Sequence, residues 1–228
     1  MLTGIGCPMA LPFIQRGMPP PPFGRVPLGT TSAVATTSVS LAVPQTYPGD
    51  LILVAAHGVS AAALDASVDL NGKPFAAVHH HSAAGSATLT IAYWKAPALE
   101  AAGSIVATWA GAQLRVGLLV SKITGLAGVL RESLGLTMAM ATTITMGHTA
   151  AYAAPISLHW GIVESTRDAL VTDLLGTWEH GLAPGQRLIF NGVDIKEGFY
   201  FPPIPEAATV RLADVTPRFQ LANINYFE

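Results

Sequence analysis

The sequence predicts an all-β protein: a two-layer antiparallel β-sandwich, jelly-roll-like, built from two duplicated halves and preceded by an extended N-terminal arm. Three observations predict it. Short apolar segments recur between Gly and Pro turns at intervals of roughly 8 to 15 residues, the signature of many short strands. A constant shift of 105 residues carries one strand pattern onto a second, taking Thr37, Val39 and Leu41 to Thr142, Ile144 and Met146, and Leu51 and Leu53 to Ile156 and Leu158. The opening 28 residues hold seven prolines and follow neither a helical nor a strand period. The expected organisation is therefore an arm over 1–28, a first half over 29–128 and a second half over 129–228.

Half of the residues are apolar, so apolar matches under the shift carry little weight. The weight rests on Tyr47 with Tyr152, Pro97 with Pro202 and Ser104 with Thr209, all in one register. The stretch from Asp65 to Thr90 does not match its counterpart from Leu170 to Ile195, which is expected where loops diverge and strands do not.

In chain order, the arm comes first. Pro19-Pro20-Pro21-Pro22 fixes φ and removes donors, so this segment is extended or polyproline II. Phe13, Ile14 and Phe23 give it apolar anchors and Arg25 a charge, and these four are the expected partner-binding residues. Such an arm drapes over its own domain, docks onto a neighbour or stays disordered. Strands begin after Thr30. Ser38 to Val43 alternates, Pro48-Gly49-Asp50 forms a turn, and Leu51 to Ala56 is a continuous apolar run. Ala87 to Trp94, Ser104 to Trp109 and Leu114 to Ile123 follow. The second half reads as strands over Thr142 to Met146, Ile156 to Val163, Arg187 to Phe190, Gly198 to Phe201, Thr209 to Val215 and Phe219 to Tyr226. Ala96 to Ala102 and Arg167 to Leu175 have room for a helical turn or two, too short to cover a sheet.

Charged residues make up 11% of the chain and mean hydropathy is +0.45. Soluble domains ordinarily carry about 25% charge. The sparse charge predicts a surface partly covered by other subunits, with an Ala-rich composition as the plain alternative. Net charge is −2 and Lys and Arg are scattered, which gives no basic footprint for nucleic acid. The single cysteine, Cys7, excludes an internal disulfide. Val116 to Leu130 contains Lys122 and falls short of the ~20 residues of a spanning helix, so no membrane partner is expected.

His79-His80-His81 invites a metal reading, since His79 and His81 on a strand would share a face about 6 to 7 Å apart. No third ligand is recognisable nearby, and solvated or interface histidines are expected instead. No Gly-x-Ser-x-Gly elbow, paired-acid arrangement or Gly-rich phosphate loop is present, so the chain is expected to be no enzyme and to need no cofactor. Tyr93, Trp94, Trp109, Trp160 and Trp178 are the aromatic candidates. Core packing accounts for most of them, while an exposed pair would suit an interface or a sugar.

The succession Ser38-Val39-Ser40-Leu41, Pro48-Gly49-Asp50-Leu51-Ile52-Leu53-Val54, Tyr93-Trp94-Lys95-Ala96, Gly103 to Trp109 and Ser121 to Gly125 resembles β-sandwich structural proteins of tailed-phage virions and gene transfer particles. The second half departs from it, with Ala153-Ala154-Pro155-Ile156 in place of the Pro-Gly-Asp-Leu turn. The resemblance implies a capsid-decorating, head-spike or fibre-base subunit, made in the host cytoplasm and located in the virion. Its partners would be capsid, neck or spike proteins, in an oligomeric setting. A carbohydrate-binding module or adhesin reading glycans through exposed aromatics is the alternative, and a β-sandwich hydrolase subunit is a third.

Overall fold

The structure is a computed structural model that describes residues 24–62, 64–81, 87–125, 130–138, 143–147, 156–165, 183–190, 193–200, 207–211 and 217–227. Every regular element among them is a strand, and every pairing is antiparallel. The first seven are β1 (Gly24–Val43), β2 (Leu51–Val59), β3 (Ala66–Leu70), β4 (Lys73–Pro74), β5 (Ala76–His81), β6 (Ala87–Lys95) and β7 (Gly103–Thr124). They form one sheet in the order β4-β3-β7-β2-β6-β5, with β1 added along β7.

β7 spans 22 residues and joins the two segments read separately as Ser104 to Trp109 and Leu114 to Ile123. Its first part pairs with β3 and its last part with β2, while β1 follows it along both. The two strands turn a corner together. Thr36 pairs with Gln113 but Ser38 with Thr108, so β7 carries extra residues there, and Ala35 takes the left-handed φ of 50° beside them. The offset reverses which parity of β7 faces inward: Ile105, Ala107 and Trp109 before the corner, Val116, Leu118 and Val120 after it. A bulge thus lets one strand bend while both of its parts keep their apolar set in the same core.

The bent sheet curls into a nearly closed barrel. Its interior holds Val39 and Val43 from β1, Ile52, Val54 and Ala56 from β2, Val68 and Leu70 from β3, and Phe75. Trp94 of β6 packs against this core and stacks on Phe75, ring centroids 5.9 Å apart. Where the ends of the sheet approach, the Ala66 N–H donates to Thr90 Oγ1 at 3.3 Å. The outer face of β2, β6 and β7 is also closed off, since Leu53, Leu89, Ile91, Leu119 and Ile123 are 0 to 1% exposed. Burial on both faces explains why Leu51–Val59 reads as a continuous apolar run.

Seven further strands follow: β8 (Leu130–Met138), β9 (Thr143–Gly147), β10 (Ile156–Ser165), β11 (Ala183–Phe190), β12 (Val193–Tyr200), β13 (Ala207–Arg211) and β14 (Pro217–Phe227). Five make a second sheet in the order β11-β12-β10-β14-β8, and β9 pairs with β13. In this sheet β10 lies between β12 and β14, as β2 lies between β6 and β7 in the first. β11 rests against β1 and β7.

Several expectations change. The arm was expected to run to Leu28, yet Gly24 already pairs with Thr124 and opens β1. Pro27 is tolerated because, among the described residues, β1 is paired along one side only and its register shifts between Pro27 and Gly29. The region from Asp65 to Thr90, expected as loop, contains β3, β4 and β5. His79 to His81 accordingly lie in a strand. Ala96 to Ala102 forms bends and a Thr46–Glu100 bridge, with no helical turn. Arg167 to Leu175 lies outside the described residues.

Candidate functional site

Three places gather chemistry. One is buried between the sheets. Arg25 Nε and Nη2 donate to Glu197 Oε1 and Oε2 at 2.9 and 2.7 Å, and Ser121 Oγ donates to the same carboxylate at 2.8 Å from Oε2. Gln186 Nε2 on β11 donates to the Val120 carbonyl at 2.5 Å and to Ser121 Oγ at 2.9 Å. A carboxylate that is 1% exposed is tolerable only because a forked guanidinium and a hydroxyl engage both of its oxygens. Arg25, expected among the docking residues, is thus turned to Glu197 of its own chain, with a side chain 10% exposed. Phe13, Ile14 and Phe23 lie outside the described residues.

The second place is one end of the first sheet. Tyr47-Pro48-Gly49-Asp50 is a tight turn in which the Asp50 N–H donates to the Tyr47 carbonyl at 3.0 Å and Gly49 takes φ of 88°. Pro at the second position and Gly at the third suit a type II turn, as the Pro-Gly-Asp spacing predicts. Asp50 Oδ2 accepts from the Tyr47 N–H at 2.9 Å and faces Lys122 Nζ at 3.1 Å, and that ammonium lies 5.9 Å from the Tyr47 ring centroid. The Thr46–Glu100 bridge sets Tyr47 opposite Leu99, and both are 57% exposed. At the β1–β7 corner a second apolar patch shows Val34 and Leu114, 53% and 64% exposed. Beneath the bridge, Glu100 is held below the usual carboxylate range by its bond to Lys73 and then by Asn71, whose Nδ2 donates to Oε1 at 2.9 Å.

The third place is a trough of about 540 Å³ between β3 and β5, lined by Asp65, Ser67, Val68, Phe75, His79 and Trp109 among others. His79 Nδ1 lies 3.6 Å from Asp65 Oδ1 and 3.1 Å from Thr90 Oγ1. An imidazole beside a carboxylate can pass a proton, but the Ser67 hydroxyl donates to the Thr108 carbonyl at 3.2 Å and does not turn to His79. Among the described residues no three His, Cys, Asp or Glu side chains come together as a metal set. The side chains of His80, His81, Trp160 and Trp178 lie outside the described residues.

Of the aromatic candidates, Trp109 is buried and Trp94 is stacked on Phe75. Tyr93 is half-buried, and among the described residues the exposed ring is that of Tyr47, which in the sequence served only as a marker of the repeat. Its place at the head of a Pro-Gly-Asp turn was the available signal. Glu197, Ser121 and Gln186 had none, because their meeting depends on how the two sheets pack.

The chain matches no protein-family model and no curated protein. Among solved structures it aligns with the major capsid protein P2 from bacteriophage PM2 at 9% identity, over 90% of this chain and 97% of that one, with a TM-score of 0.29. A score of that size carries no argument about fold or role.

Proposed function

We propose that this chain is a non-enzymatic structural subunit of a tailed-phage virion or related gene transfer particle, attached to capsid, neck or spike proteins through apolar surface. The observation that carries the reading is the exposure of Tyr47, Leu99, Val34 and Leu114 on a chain with 11% charged residues. Large apolar side chains left at the rim of a well-filled barrel gain by being covered, at about 25 cal/mol per Å² of apolar area removed from water. The resemblance in the strand segments supports a particle as the setting of that covering. The matching strand orders of the two sheets, together with the 105-residue shift, support an origin by internal duplication and a layered sandwich of two related halves.

Sedimentation of the purified chain alone and with particle proteins tests the reading, with association expected that persists at moderate salt because apolar contacts are not screened. A monomer that ignores the particle at every salt concentration would sink it. One observation favours a second reading. Tyr47 presents an exposed ring flanked by Asp50 and Lys122, a combination that also suits a sugar. Calorimetric titration with oligosaccharides, lost in Tyr47→Ala, would promote that alternative.

A further inference from the structure

The Arg25–Glu197 contact joins residues 172 positions apart, and it is made at the start of β1. Among the described residues β1 pairs with β7 alone, and the register of that pairing shifts just after Pro27, which pairs with Ser121. Backbone bonds alone therefore hold Gly24 to Val26 weakly. What they lack is supplied from the other sheet. The Arg25 fork closes on Glu197 of β12, Nη2 also donates to Ser121 Oγ of β7 at 3.1 Å, and Gln186 of β11 ties the same hydroxyl. β1 and β7 thus engage the buried β12 carboxylate directly, and β11 joins the cluster through Ser121.

We propose that this cluster is a latch: the first residues of β1 close onto β7 only when β11 and β12 are seated, so the C-terminal half sets where the N-terminal segment leaves the fold. Without Glu197, Arg25 would lose the carboxylate that its Nε and Nη2 fork engages. Without Arg25, Glu197 would be a buried anion supported only by a hydroxyl. A carboxylate buried to 1% exposure is costly without its guanidinium, so the strand start and the second sheet come in together or stay apart together. The latch concerns the internal order of the chain and stands independently of any particle partner.

Amide hydrogen exchange on the full chain tests it, comparing Glu197→Gln with the natural protein at two parts of the same strand. Loss of one charged hydrogen-bond partner should speed exchange at Arg25, Val26 and Leu28 by roughly 10- to 100-fold. At Ser38 to Val43, which pair with β7 beyond the corner, rates should stay within about twofold. An equal rise along all of β1 would mean general destabilisation and would overturn the latch, as would unchanged rates at Arg25 to Leu28. Should Glu197→Gln not fold, Arg25→Lys, which keeps the charge and loses the fork, is read by the same two outcomes.

Discussion

His57 Nδ1 donates to the Thr88 carbonyl at 3.1 Å, which leaves His57 Nε2 buried without a hydrogen-bond partner. The ring sits on the outer face of β2, fully buried, and it must remain neutral there. Burial pushes its pKa down to about 4, against the opposing pull of the Thr88 bond and with a further push from Arg115. The unfolded chain binds the proton near pH 6.5, and the folded chain refuses it until about pH 4. Stability is therefore fully present above about pH 6.5 and falls as pH drops toward 4, by about 3 kcal/mol in total. Urea unfolding between pH 7.5 and 4 should show that slope, and His57→Leu should flatten it. An unchanged slope in the variant would place the pH dependence elsewhere.

Gly58 permits a close approach within the barrel. A Cβ there would lie 2.6 Å from Trp109 Nε1 and 2.8 Å from Gln113 Oε1. Both side chains are buried and face the same spot, so neither can swing away cheaply. Gly58→Ala should cost about 1 to 3 kcal/mol, the usual range for overpacking. Denaturant melts followed by tryptophan fluorescence would measure it, and a neutral result would mean that the Trp109 region relaxes freely.

The β3–β4 hairpin closes through Asn71 and Gly72, both left-handed at φ of 52° and 76°. A two-residue Asn-Gly loop with both φ positive is the preferred link for right-twisted strands. The Asn71 carboxamide also bonds Glu100, and a Cβ on Gly103 would run into it. Asn71→Ala should cost about 1 to 3 kcal/mol by combining left-handed strain with a lost bond to a carboxylate. Asn71→Gly removes the strain and isolates the bond, so the two variants should differ measurably in melting temperature. Equal melting temperatures would show that backbone strain contributes nothing here.

Tyr47→Ser with Leu99→Ser should leave folding stability within about 1 kcal/mol, because both side chains are 57% exposed, the Tyr47 bonds to Asp50 are made by its backbone, and an exposed ring facing an ammonium contributes only about 0.5 to 1 kcal/mol. Association with particle proteins should weaken in the same variant. Melting temperature and co-sedimentation separate the two effects, and full binding by a correctly folded variant would move the contact to Val34 and Leu114 or to another surface.

Much of the first sheet is legible in the chain. Ser38 to Val43 and Ala87 to Trp94 alternate with period two, and Leu51 to Ala56 is apolar throughout because both of its faces are buried. β3 was legible and overlooked. Ala66, Val68 and Leu70 are buried and alternate with Ser67 and Asp69, immediately before an Asn-Gly turn. β12 was harder to read. Val193, Ile195, Glu197 and Phe199 share one parity, and a glutamate in that set breaks the alternation that would have marked the strand. The charge that hid the strand is the one that binds Arg25.

By itself the sequence determined that this protein is all β, that a turn falls at Pro48-Gly49-Asp50, and which runs are apolar enough to be covered on two faces. These follow from local periodicity, from the φ preferences of Pro, Gly and Asn, and from hydropathy, none of which needs a partner strand. Tertiary structure alone decided that two apparent strands are one bent β7, that Arg25 faces Glu197, and that Tyr47 and Leu99 stand exposed next to the Thr46–Glu100 bridge. Each of those depends on register and packing between segments far apart in the chain. Side-chain period says which face a residue occupies, but only the closed sheet says what that face meets.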